Sequence, residues 1–161
     1  MTGGLLQFVQ SKMYDVATEN NGVLTEAEWE NFCETAFDYG SDTKLFVTSR
    51  KVAGIINQFA AGRIDTTSGD ETYGMRLKKY TSFHGDIILA PTKLFEKNYA
   101  GYGVMVDPKY LYYRPFDGKD SKLRANIQEN DLDGWKDEYM TKAGLKVELE
   151  KTHALLKGVT A

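Results

Sequence analysis

The residues able to do acid–base or nucleophilic chemistry are few in this sequence of 161. His84-Gly85-Asp86 sets an imidazole near a carboxylate, a pair that could move protons. If the segment is extended, His84 and Asp86 share a face, but no nucleophile stands beside them. With the polar loop at 62–74 they define one reading, a small ligand-binding or hydrolytic domain. His153, the other histidine, opens the last apolar run. Two scattered histidines and the single Cys33 make a poor metal set. Glu129, Asp131, Asp133 and Gly134 resemble the start of a calcium loop. The bidentate glutamate such a loop needs is replaced by Met140, which leaves a solvated acidic loop. Gly101-Tyr102-Gly103 has no phosphate-binding lysine and opens no helix, so it reads as a strand entry. The residues therefore imply no catalytic centre, no cofactor and no metal.

The elements around these residues look built to fit other parts. Thr25 with Glu28 forms a capping box, and Trp29, Phe32, Cys33, Ala36 and Phe37 make one apolar stripe up to Gly40. The pattern predicts a helix there, with Cys33 as a small buried core residue. A second helix is predicted from about Ser49, with Val52, Ile55, Ile56 and Phe59 inward and Gly62 ending it. Leu5, Leu6, Val9 and Met13 recur at helical spacing, which predicts a short helix over 3–13. Strands are expected at 45–49, 75–83, 85–91, 103–107 and 110–114, and in HALLKGV. Residues 117–137 are highly charged and read as irregular. From Tyr139 to Leu149 apolar and polar residues alternate strictly, the mark of one long half-wet strand over 138–150. In YLYYRPF (110–116) both faces carry apolar bulk. Each should meet a helix, another sheet or another subunit, and the proline should stop the strand. The class is α+β: two amphipathic helices on a mainly antiparallel sheet, with a long C-terminal strand.

Length and composition are those of one globular body, 42% hydrophobic and 27% charged, with a sizeable core. The net charge of −3 argues against broad binding to nucleic acid or anionic membranes. A single cysteine excludes an internal disulfide framework. No apolar run approaches the ~20 residues of a membrane span. MTGGLLQFVQ lacks the pattern of a signal peptide, so synthesis in the cytoplasm is expected. Lys78-Lys79 and the run from Lys119 to Arg124 are the basic clusters. They are read as solvated faces or salt-bridge partners, with subunit or backbone-phosphate contact as the other uses.

Taken in order, these segments resemble the C-terminal half of tailed-phage major capsid proteins with the Johnson-type shell fold. The resemblance is carried by the Gly-Gly and short helix of Thr2 to Val9, and by the helix–strand–helix of 25–61 with LFVTSRKVAGIINQF at its join. It continues through Tyr80 to Leu89, Asp107 to Pro115 and Glu138 to Val159. In the last segment the usual Ala-His order is reversed, as His153-Ala154.

The resemblance implies a structural shell subunit, not an enzyme, found in the virion. Its partners would be copies of itself in pentamers and hexamers, with scaffold and portal proteins as further candidates. It implies an axial-domain-like part at about 25–116 and 152–161, and a peripheral-domain-like part at about 1–24 and 117–151. YLYYRPF would be an inner axial strand packed on the two helices. Arg63, Asp65, Asp70, Glu71, Lys119 and Arg124 are the candidate intersubunit contacts. The family's N-terminal arm, extended loop and spine helix have no counterpart, so a truncated protein is expected, and shell assembly by this chain alone is not.

Overall fold

The structure, a computed structural model, describes residues 4–59, 64–65, 71–72, 75–76, 78–131 and 133–160, with backbone alone at 59, 64–65, 71–72, 75–76 and 78. The helices are α1 (Leu5–Phe8), α2 (Val16–Asn20), α3 (Glu26–Phe37) and α4 (Arg50–Phe59). The first eight strands are β1 (Met13–Asp15), β2 (Thr43–Ser49), β3 (Ile64–Asp65), β4 (Glu71–Thr72), β5 (Met75–Arg76), β6 (Lys78–Thr81), β7 (Asp86–Thr92) and β8 (Gly103–Val106). They are followed by β9 (Leu111–Pro115), β10 (Lys122–Arg124), β11 (Glu138–Met140), β12 (Ala143–Val147) and β13 (Ala154–Lys157). A seven-stranded sheet runs β1-β13-β8-β2-β7-β6-β3. β1 is parallel to β13 and β2 to β7, and the other pairings are antiparallel. This is the α+β class expected from the sequence.

Local chemistry explains the main elements. The Thr25 hydroxyl accepts from the Glu28 amide at 3.3 Å and caps α3, while the Glu28 carboxylate accepts from Tyr14 Oη. One α3 stripe, Trp29, Phe32, Cys33 and Ala36, is buried as predicted. Val52 and Ile56 bury the matching side of α4. β2 alternates: Phe46 faces the helices, and Leu45 packs against a smaller cluster of Val9, Val104, Val106 and Leu155 on the other face. The main core is aromatic. Trp29 lies 5.1 Å from Phe46 and 6.0 Å from Tyr80, both edge-on. Gly103 is required by this packing, because a Cβ there would meet the Phe46 ring at 2.3 Å.

A polar knot under the sheet end was not foreseen. Lys44 is fully buried on β2, and its ammonium donates to the carbonyls of Ala36 (2.7 Å), Tyr39 (2.7 Å) and Thr152 (2.6 Å). Burial draws its pKa down to about 8. Asp107 accepts from the amides of Ser41 (2.7 Å) and Lys109 (3.0 Å). Burial pushes its pKa up, but these amides outweigh it and hold the carboxyl low. His153 Nδ1 accepts from the Asp107 amide at 3.1 Å. Buried Nε2 makes no hydrogen bond of good geometry among the described residues, although the Glu148 carbonyl lies close enough to act on the ring.

His153 must be neutral to accept that bond. Burial first, then the Lys44 charge, lowers its pKa, against pulls from the Glu148 carbonyl, Asp107 and Glu150. The sign follows from linkage. The unfolded chain takes the proton near the ordinary value of about 6.5, and the folded chain only at lower pH. Stability is therefore full above that pH and falls below it. Urea midpoints should drop between pH 7.5 and pH 5, and His153→Gln should flatten that drop. Equal drops in the two proteins would remove His153 from the acid response.

Three expectations need correction. The helix over 3–13 stops at Phe8, and Met13–Asp15 is strand β1. The Glu150 carboxylate takes the amides of Gln10 (2.6 Å) and Ser11 (2.7 Å), which diverts the chain before β1 joins β13. YLYYRPF is not an inner strand of the main sheet. The Asp107 carboxylate caps a 3₁₀ turn at Pro108–Tyr110, the chain leaves the body there, and β9 pairs with β12 alone. Tyr112, expected in the core, is 45% exposed. The long strand over 138–150 is two strands, broken at Thr141-Lys142.

Candidate assembly interface

β9 to β12 form one interrupted hairpin. Leu111 pairs with Val147 and Pro115 with Ala143. Farther out, Lys122 pairs with Met140 and Arg124 with Glu138. Between Pro115 and Lys122 the chain takes seven steps, against three between Met140 and Ala143, so the outgoing arm bulges by four residues. The bulge is closed by backbone bonds from Phe116 to the Lys142 carbonyl (2.8 Å) and from Lys142 to the Lys119 carbonyl (2.9 Å). A further bond, from the Ile127 amide to the Lys136 carbonyl at 2.9 Å, carries the pairing toward a tip at 128–131 and 133–135. The real period-two pattern of 138–149 thus belongs to one arm of a hairpin with a shift in register.

The hairpin wears apolar groups that its own chain does not cover. Leu111, Tyr113 and Pro115 share a face with Ala143, Leu145 and Val147 by register; Tyr113 and Pro115 are exposed and the other four half-buried. Farther out, Leu123 pairs with Tyr139, which is 80% exposed. Phe116 is exposed too, and Trp135 at the tip is 87% exposed. The elements that share substantial contact with this arm are α1, against β12, and the 3₁₀ turn at Pro108–Tyr110, against β9. A two-stranded ribbon is marginal in water unless its apolar face packs on something. An uncovered patch of this kind marks a protein contact.

Of the predicted contact residues, the structure puts two on this arm. Lys119 sits in the bulge with its ammonium 5.4 Å from the Phe116 ring centre. Arg124 pairs with Glu138 at 3.0 Å on the face opposite Tyr139. Asp65 and Glu71 lie in the short strands β3 and β4, far from them in the chain, with backbone alone described. Arg63 and Asp70, with most of the 62–74 loop, lie outside the described residues. Leu123, Trp135 and Tyr139 were not singled out as contacts. The signal for them was large apolar residues set inside a highly charged run.

The chemical alternatives do not converge. His84 is exposed on the β6–β7 turn, and Asp86 is held by Lys79 at 2.8 Å and Thr81 at 3.1 Å. Lys79 and the Thr81 hydroxyl bring the Asp86 pKa down. Ser41, Asp107 and His153 do meet, beside an open cleft of about 400 Å³ lined by Ser41, Asp42, Thr43, Asp107, Pro108 and Lys109. Their bonding is wrong for a hydrolytic triad. Nδ1 accepts a backbone amide instead of donating to the carboxylate, and Nε2 activates no hydroxyl. Among the described residues no group of three or more acidic, histidine or cysteine side chains could hold a metal. No helix there is long and apolar enough to cross a membrane.

A similar fold is found in a phage protein: a chain of Mycobacterium phage Patience superposes with a TM-score of 0.52 over 84% of this chain, at 14% identity. This chain spans 45% of the length of that one. A family model described as SU10 major capsid protein matches residues 1–160, and the chain belongs to that family. No curated protein matches the sequence.

Proposed function

We propose that this chain is a structural part of a phage capsid shell whose partners are copies of itself, arranged in pentamers and hexamers. The observation that carries this reading is the family match across residues 1–160. The uncovered aromatic hairpin supports it, since such a ribbon needs a neighbour to be stable. In this reading the chain works in the virion and assembles with scaffold and portal proteins, and its role is non-catalytic. Residues 25–116 and 152–161 form the axial-domain-like part, supported by β2, β3, β6, β7, β8 and β13 in the main sheet, with β9 passing from it into the hairpin. Residues 1–24 and 117–151 form the peripheral-domain-like part, from which β1 joins that sheet. Lys119 and Arg124 contribute to subunit contacts from the hairpin.

The test is negative-stain electron microscopy of the full-length protein in which this chain occurs. Closed shells are expected. A small soluble particle, at concentrations where shell subunits assemble, would overturn the proposal.

A further inference from the structure

We propose that the hairpin tip of one copy docks head-to-tail on the α4/β7 end of the next copy's main sheet, with Trp135 and Leu94 as apolar anchors. This rests on the reading that the chain assembles with copies of itself. It goes beyond that reading by naming the two surfaces that meet.

The first surface is the tip. Residues 128–137 carry Glu129, Asp131, Asp133 and Asp137 against Lys136, a net of −3. Trp135 stands among them almost fully exposed. The paired arms hold this tip on the order of 30 Å beyond Val147, at ~3.3 Å per residue. The second surface is the sheet end where β2 runs into α4 and β7 ends. Ser49 and Thr92 are register partners, so Arg50 emerges beside Lys93, Leu94 and Lys97, while the Lys51 ammonium turns to the Thr160 carbonyl. Arg50 lies 3.9 Å from Glu96, which confirms that the two segments meet. Arg50, Lys93 and Lys97 against Glu96 sum to +2. Leu94 is 86% exposed there. Each surface thus pairs one bare apolar side chain with opposite charge, and neither covers the other within the chain.

Two different patches that fit each other make a heterologous contact, the kind that builds rings and continuing surfaces and not closed pairs. The apolar anchors supply the affinity. The rim charges select the partner and speed encounter, so assembly should slow as salt rises.

The experiment measures shell yield against concentration for the full-length protein, with melting curves as the check on folding. Trp135→Ala should raise the concentration for half-assembly at least about tenfold. Asp131→Lys with Asp133→Lys should block assembly, and adding Lys93→Glu with Lys97→Glu in the same chain should restore it. Failure of the combined chain to recover, while it melts like the wild type, would assign the tip to another partner and overturn the proposal. Wild-type shells that form unchanged in all variants would overturn this inference alone. A wild-type protein that never forms shells would overturn the shell reading, and this one with it.

Discussion

Replacing Lys44 by methionine is expected to destabilise the chain by about 3–5 kcal/mol, the range for removing one side of a buried charged contact. The side chain is fully buried, and at neutral pH it stays a cation because burial lowers its pKa only to about 8. Its three carbonyl partners come from the end of α3, from the residues just past it, and from the turn before β13. One ammonium therefore ties segments 5, 8 and 108 residues away to β2. Methionine fills much of the volume but donates nothing. Each abandoned carbonyl then carries a desolvation penalty of about 1–3 kcal/mol, relieved in part by water that enters. Arginine should not rescue, since its planar fork cannot aim three donors at one point as an ammonium does. Urea unfolding would measure the loss. A change below about 1 kcal/mol would mean that the knot is replaceable by packing.

Lys44 also marks the limit of what was legible. Within TKLFVTS a lysine looks like an exposed strand residue, and only distant carbonyls make it internal. By contrast α3 and α4 could be read directly, because a capping hydroxyl and a 3.6-residue stripe are local signals. β8 and β13 were legible for a similar reason, as short apolar runs closed by Asp107-Pro108 and by Gly158. The hairpin was half legible. The alternation from Tyr139 to Leu149 is real, but its break at Thr141-Lys142 is set by a register shift across more than 20 residues, through the Lys142 bond to Lys119. YLYYRPF was ambiguous in principle. Apolar bulk on both strand faces describes an inner strand and an uncovered contact ribbon equally well. The Asp107 cap that turns the chain out of the body decides between them. For the candidate interface, charge type pointed to Lys119 and Arg124. The anchors are aromatic and aliphatic groups, whose exposure only the fold reveals.

The same ambiguity supplies the second large effect, as a contrast between two aromatic residues. Trp29→Ala should cost about 3–5 kcal/mol, the usual range for emptying a large core aromatic site. Trp29 is fully buried, and it touches Phe32, Phe46 and Tyr80 with ring centres 5.6, 5.1 and 6.0 Å away. Those neighbours come from α3, β2 and β6, so the void would lie where helix and sheet meet and could not close by shifting one side chain. Its Nε1 has no acceptor among the described residues, so Trp29→Phe, which deletes that buried donor, should cost much less than the alanine change. Tyr112→Ala should cost less than about 1 kcal/mol in the isolated chain, as for most surface positions. Among the described residues its hydroxyl bonds only to the Lys109 carbonyl at 2.7 Å, and Lys146 lies 5.5 Å from its ring on an exposed face. Denaturant melts of the three variants would give the ordering directly. If Tyr112→Ala cost as much as Trp29→Ala, the β9–β12 ribbon would be packed into the body, and the case for a hairpin that waits for a neighbouring subunit would fail. If it is silent in the isolated chain yet impairs shell formation, the tyrosine does its packing across the subunit boundary, where the sequence alone could not place it.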